Sequence, residues 1–256
     1  MFFKEGMLFY TTSMCSNDCR FCSAKKTMKQ LPNYHLSLDD IYKFIDYSQK
    51  ANYTFDHLLY CGGEPMLWKH IEKATKLLKE SNVVNEIWIL SNALNWNYKK
   101  IFSFIFDIDV VKCSDYGKNI KQINEIEKWL KQINYKGKIK TAFCHFHEKP
   151  LQHRVKNSLP AMCNCKEYAL INGRICICSN GYPTIHWLGK TLDHYKKHSI
   201  PLQENFMDFT FKVDRYKQEV CQYCLANGKT RNYREKVVNW KDNIWYGENG
   251  NIDYNI

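Results

Sequence analysis

No stretch of these 256 residues approaches eighteen consecutive apolar positions, so the sequence offers no membrane-crossing helix. Nor does it show a charged segment followed by an apolar run and a small-residue cleavage site, and the expectation is a cytoplasmic protein. With 45% apolar residues a chain of this length buries a sizeable core unaided. Its twelve cysteines are therefore not required for bulk stability. In a reducing compartment, clustered thiols bind metal or do redox chemistry rather than build a disulfide framework.

A fourth thiol is missing from the first cluster. SMCSNDCRFCS, residues 13–23, sets Cys15, Cys19 and Cys22 in the spacing CxxxCxxC, with Phe21 just before the last. A structural zinc site takes four ligands, usually as two CxxC pairs. Three thiolates on a four-iron cluster instead leave one iron open to coordinate a ligand directly. That arrangement suits an electron transfer that breaks a bond in the ligand.

Downstream, LLYCGGEPML, residues 58–67, ends an apolar run in Gly62, Gly63, Glu64 and Pro65. Two glycines let a backbone approach a ligand closely, and a carboxylate pairs with an ammonium. The elements around these motifs alternate. Strands are expected at 6–12, 57–61, 86–91, 107–114 and 138–146. Helical periodicity lies between them, from a Ser cap through LDDIYKFIDYSQK, in LWKHIEKATKLLKE, weakly at 97–105, and in NIKQINEIEKWLKQI. Such alternation predicts βα units, a parallel sheet, and ligands at the carboxyl ends of its strands.

CxxxCxxC with an aromatic before its last Cys, followed by GGEP after the second strand, resembles the radical S-adenosylmethionine (SAM) enzymes. The resemblance implies that Cys15, Cys19 and Cys22 hold a 4Fe-4S cluster with Phe21 beside them, and that Gly62, Gly63, Glu64 and Pro65 bind the methionine amino group of SAM. Ser91 and Asn92 resemble the family's polar motif after the third strand, often Thr-Asn-Gly, with Ala93 in place of the glycine. Ser114 and Asp115 sit where the family contacts the ribose or carboxylate of SAM. The family core has six strands. Here the alternation stops after the fifth, so residues 1–150 are expected to form a truncated (β/α) barrel.

Residues 151–256 carry a second signal. YALINGRICIC reads as a β-hairpin turning on NG, with Cys176 and Cys178 on one side of the outgoing strand. Together with Cys163, Cys165 and the late CQYC pair Cys221 and Cys224, this resembles the Twitch domain, the shorter relative of the SPASM extension. The resemblance implies one auxiliary 4Fe-4S cluster held by Cys178, Cys221, Cys224 and either Cys163 or Cys165. Cys61, Cys113 and Cys144 lie in or beside apolar strand runs and read as buried thiols.

The implied chemistry is reductive cleavage of SAM to a 5′-deoxyadenosyl radical, hydrogen abstraction from a substrate, and electron transfer to the auxiliary cluster. The net result is oxidation of a small molecule, most like the aminoglycoside-pathway dehydrogenases. A ribosomal-peptide maturase forming a thioether or an epimer is the alternative, and a zinc-binding protein without radical chemistry a second. Oxidising an alcohol releases a proton, for which His145, His147, His153 and Arg154 are the candidates after the fifth strand. The net charge of +11 fits an anionic substrate or an acidic flavodoxin- or ferredoxin-type donor. No dense basic run or RNA-binding motif appears, so nucleic acid ranks below both.

Overall fold

A computed structural model describes residues 6–17, 19, 22, 31–143, 167–176, 199–208, 245–246 and 252–253. Strand β1 (Gly6–Thr12) is followed by the cysteine loop and α1 (Leu38–Lys50), then β2 (Phe55–Gly62) and α2 (Ile71–Ser81). Next come β3 (Val84–Ser91), α3 (Tyr98–Phe102), β4 (Val110–Asp115), α4 (Ile120–Gln132) and β5 (Lys138–Phe143). These five strands pair in parallel, as the alternation predicts. The expected α/β architecture, an open partial barrel, is what forms.

Local chemistry sets the element ends. Ser37 caps α1 by accepting the Asp40 N–H at 3.0 Å. Asp39 and Asp40 occupy the first turn and Lys50 the last, matching the helix dipole. The fourth strand begins later than the sequence suggests, at Val110. A single 3-10 turn takes Ile105–Asp107, and the Asp109 carboxylate turns inward to accept the Ile87 N–H at 2.8 Å and to pair with Lys79 at 3.0 Å.

One sheet face meets the helices. Met7, Phe9, Leu58, Tyr60, Ile87, Ile89, Val111 and Cys113 face Ile41, Phe44, Ile71, Leu78, Ile123 and Leu130 in one apolar core. Burial raises the Cys113 thiol to about 12, so it behaves as a small hydrophobe. Cys61 is buried too, while Cys144 lies outside the described residues. The opposite face is apolar at Leu8, Tyr10, Leu59 and Cys61.

The later strands do not stand apart. β6 (Glu167–Ile171) pairs in parallel with β1, so the sixth parallel strand lies beyond the first strand rather than the fifth. The predicted hairpin forms: β7 (Arg174–Cys176) runs antiparallel to β6, with Asn172 and Gly173 at φ 50° and 65° as an Asn-Gly turn requires. β8 (Ser199–Pro201) completes a sheet ordered β5-β4-β3-β2-β1-β6-β7-β8. A separate pair, β9 (Trp245–Tyr246) and β10 (Ile252–Asp253), lies outside this sheet. Among the described residues no helix is long and apolar enough to cross a membrane.

Phe44 links the early and late parts of the sequence. Its ring lies 5.0 Å from Phe9, 5.3 Å from Phe55 and 6.1 Å from Phe206. Phe44→Ala should cost about 3–5 kcal/mol of unfolding free energy, measured by urea denaturation.

Candidate active site

The two sequence motifs meet at the carboxyl ends of β1 and β2. The Gly63 N–H donates to the Thr12 carbonyl, and the Glu64 N–H to the Met14 carbonyl, both at 2.7 Å. Gly62 sits at φ 110°, a conformation suited to glycine. A Cβ on Gly63 would collide with the Met14 carbonyl. The close approach that the glycines permit in this structure is therefore to the backbone of the cysteine loop. Thr11 Oγ1 adds a donation to the Cys61 carbonyl at 3.0 Å.

Glu64 points inward and is only 1% exposed. Its Oε1 accepts the Met66 N–H at 3.1 Å and the Ser91 hydroxyl at 3.0 Å. Its Oε2 accepts the Asn92 N–H at 2.7 Å. The carboxylate that the sequence reading sets against an ammonium is thus engaged by three donors of the chain, and it ties the end of β2 to the end of β3. Burial raises the carboxyl from 4.5 to about 7, against the pull of those donors.

Asn92 carries the network back to the thiols. Its Nδ2 donates to Cys15 Sγ at 3.5 Å and to Ser16 Oγ at 3.4 Å, and its Oδ1 accepts the Leu94 N–H at 2.9 Å. Ala93 follows in the left-handed region at φ 64°, which is why glycine suits this place in the related motif. Ser114 is buried at the end of β4. Sequence reasoning took Asn119 merely as the first residue of a helix, yet its Nδ2 donates to the Asn92 and Ser114 carbonyls, both at 2.8 Å. Its Oδ1 accepts the Tyr116 N–H at 2.8 Å. Lys118 Nζ reaches Asn17 Oδ1 at 3.2 Å, joining the β4 loop to the cysteine loop.

Of the three clustered thiols, Cys15 is exposed, Cys19 buried and Cys22 partly buried against the Leu8 and Leu59 patch. Cys22 N–H donates to the Cys19 carbonyl at 3.3 Å. Among the described residues, no three His, Cys, Asp or Glu side chains converge to hold a metal ion, so the thiols share one loop without forming a gathered ligand set. The donor chemistry nonetheless fits a cluster. Cys15 Sγ accepts N–H groups from Asn17, at 3.4 Å, and from Asn92, and hydrogen bonds to the sulfurs are a usual feature of cluster ligands. Metal ligands commonly gather only as the metal binds. Phe21, His145, His147, His153, Arg154, Cys163, Cys165, Cys178, Cys221 and Cys224 lie outside the described residues.

Residues 9–114 match the model of the radical SAM superfamily. No curated protein matches the chain by sequence. Among solved structures, the chain is similar to BtrN in complex with AdoMet and 2-DOIA, at 11% identity over 88% of this chain and 93% of that one, with TM-score 0.60. BtrN in an open conformation aligns at 12% identity over 84% and 82%, with TM-score 0.51. Streptococcus suis SuiB bound to S-adenosylmethionine aligns at 12% over 91% and 73%, with TM-score 0.43. At such identities the likeness is one of fold.

Because the folded-state Glu64 value lies above the unfolded one, its neutral form carries stability that is full below pH 4.5 and is lost as pH rises through about 7. The unfolding free energy of wild type relative to Glu64→Gln should therefore fall by about 3 kcal/mol across that window, read from urea denaturation at several pH values. Ala93→Gly relieves the left-handed strain and should raise stability by about 0.5–1 kcal/mol, seen as a higher urea midpoint.

Proposed function

We propose, from the match of residues 9–114 to the radical SAM superfamily model, that the chain is a radical SAM oxidoreductase acting on a small molecule. The observation that carries this reading is the run of bonds from Cys15 Sγ through Asn92 to Glu64, which fuses the thiol loop and the GGEP loop into one site. In this reading Cys15, Cys19 and Cys22 hold the 4Fe-4S cluster, while Cys178, Cys221, Cys224 and either Cys163 or Cys165 hold an auxiliary one. When bound, the clusters and SAM supply a carbon radical that abstracts hydrogen and a sink for the electron left on the substrate.

The chain's own residues prepare and finish that chemistry. Asn92 donates an N–H to the Cys15 sulfur, a hydrogen bond of the kind that tunes a cluster. Glu64, Ser91 and Asn119 fix the loops after β2, β3 and β4, so the backbone and Ser114 present a fixed edge to the adenosyl and methionyl groups. A protein whose fold this chain shares, BtrN, has been seen with AdoMet, which supports a SAM site here. As the substrate radical gives up its one electron, the hydroxyl proton passes to one of His145, His147 and His153, while Arg154, always protonated, would polarise the oxygen instead.

The test is iron and sulfide per chain after anaerobic reconstitution, together with 5′-deoxyadenosine formed from SAM and dithionite. Wild type should hold about eight irons, and the Cys15→Ala, Cys19→Ala, Cys22→Ala triple variant about four, with deoxyadenosine formation abolished. Zinc in place of the auxiliary iron would shift the reaction from oxidation to a redox-neutral one. A chain that takes up no iron would overturn the reading.

A further inference from the structure

The cysteine loop is pinned from both neighbouring strand ends. On the β3 side, Ser16 Oγ donates to Asn95 Oδ1 and accepts the Asn92 Nδ2–H at 3.4 Å. On the β4 side, Lys118 Nζ donates to Asn17 Oδ1 at 3.2 Å. The Asn17 backbone N–H goes to Cys15 Sγ at 3.4 Å. One donor of the loop is left over. Asn17 Nδ2 is buried and finds no acceptor among the described residues.

Chemistry decides which end of that amide is the buried one. An ammonium carries three donors and no acceptor, so the atom that meets Lys118 is the carbonyl oxygen. The buried atom is therefore the amide nitrogen, a donor in need of an acceptor. Leaving a buried N–H unmet is costly, and few such groups occur in folded proteins. Asn17 stands two residues after Cys15 and two before Cys19, with its own backbone bonded to the Cys15 sulfur. The acceptors that a 4Fe-4S cluster brings to this loop are its sulfurs, and hydrogen bonds to those sulfurs are among the features that set a cluster's potential.

We propose that Asn17 Nδ2 donates to a sulfur of the first cluster and raises its reduction potential, with Lys118 holding the amide in that orientation. The proposal rests on the radical SAM reading and adds to it a residue, outside the thiols and the GGEP loop, that sets how readily the cluster is reduced. Reduction adds one negative charge to the cluster, and an N–H on sulfur stabilises the more negative state more. The electron comes from an external reductant, and no bond of the chain forms or breaks. Lys118 is exposed and Asn17 half-buried, so the tether runs from solvent to the cysteine loop.

The experiment is EPR-monitored potentiometry of the reconstituted full chain, with and without SAM, following the reduced signal that changes on SAM addition. Asn17→Ala should load the same iron as wild type. Without SAM, its first cluster should be about tenfold less reduced at a given potential, which for one electron is a midpoint about 59 mV lower. Any signal that ignores SAM should keep its midpoint. Electron–nuclear double resonance in heavy water reads the bond itself: one exchangeable proton coupled to the first cluster should be absent in Asn17→Ala. Lys118→Met changes an exposed side chain and decides the matter should Asn17→Ala fail to load iron. It should weaken the same proton coupling and lower the midpoint even at high salt, where an exposed charge is screened. An unchanged midpoint and coupling, with iron content and SAM response intact, would overturn the proposal and leave the radical SAM reading standing. A shift seen only after SAM is added would make the SAM carboxylate the acceptor and overturn the assignment to the cluster. A chain with no SAM-responsive iron signal would remove the reading and the proposal together.

Discussion

One buried carboxylate holds the strand ends together. Glu64 gathers the Met66 and Asn92 amides and the Ser91 hydroxyl, so the turn after β2 and the turn after β3 share a single buried acceptor. Buried donors left without an acceptor are costly, so each of these bonds holds its loop in place. The orientation of Asn92 follows from that anchor, and the contact of Asn92 with the Cys15 sulfur follows from the orientation. Asn119 closes the arrangement from the far side by holding the carbonyls of Asn92 and Ser114.

The sheet divides labour between its faces. Toward the helices it is apolar from β1 to β4, and this face supplies the cohesion. On the other side the apolar patch of β1 and β2 continues onto the neighbouring strands β6 and β7 at Ala169, Ile171 and Cys176. Beyond it the face opens to Trp88 and the lysines of β4 and β5. The apolar core and the face that carries Trp88, Lys112 and Lys140 thus lie on opposite sides of the same strands, and period-two alternation lets each strand serve both.

Much of this was legible in the sequence because it is local. The Ser37 cap, the Asn-Gly hairpin, the four helices and the two motif loops follow from spacing within a few residues. The sequence shows Ala93 in the glycine position of a related motif, but its left-handed φ of 64° is seen only in the structure. Relations across the sheet were not legible. Asn119 looks like any helix-leading asparagine until β3 and β4 bring two carbonyls to it. Asp109 reads as part of a strand, yet a lysine 30 residues earlier and the Ile87 amide pull it out of the ladder. The alternation in KIKTAF shows that Lys138 and Lys140 share a face, but only the strand order sets Lys140 against Lys112 and Trp88.

The parallel pairing of β6 with β1 has a consequence for synthesis. The strand leading into the cysteine loop emerges first, but its second edge stays unfilled until residues near Glu167 arrive, roughly 150 residues later. At about 5–20 residues per second that is a delay of about 10–30 s. During that interval a fully apolar stretch from Gly6 to Tyr10 offers open backbone donors and acceptors to any other extended segment. The nascent chain is thus most prone to mispairing before the hairpin is made.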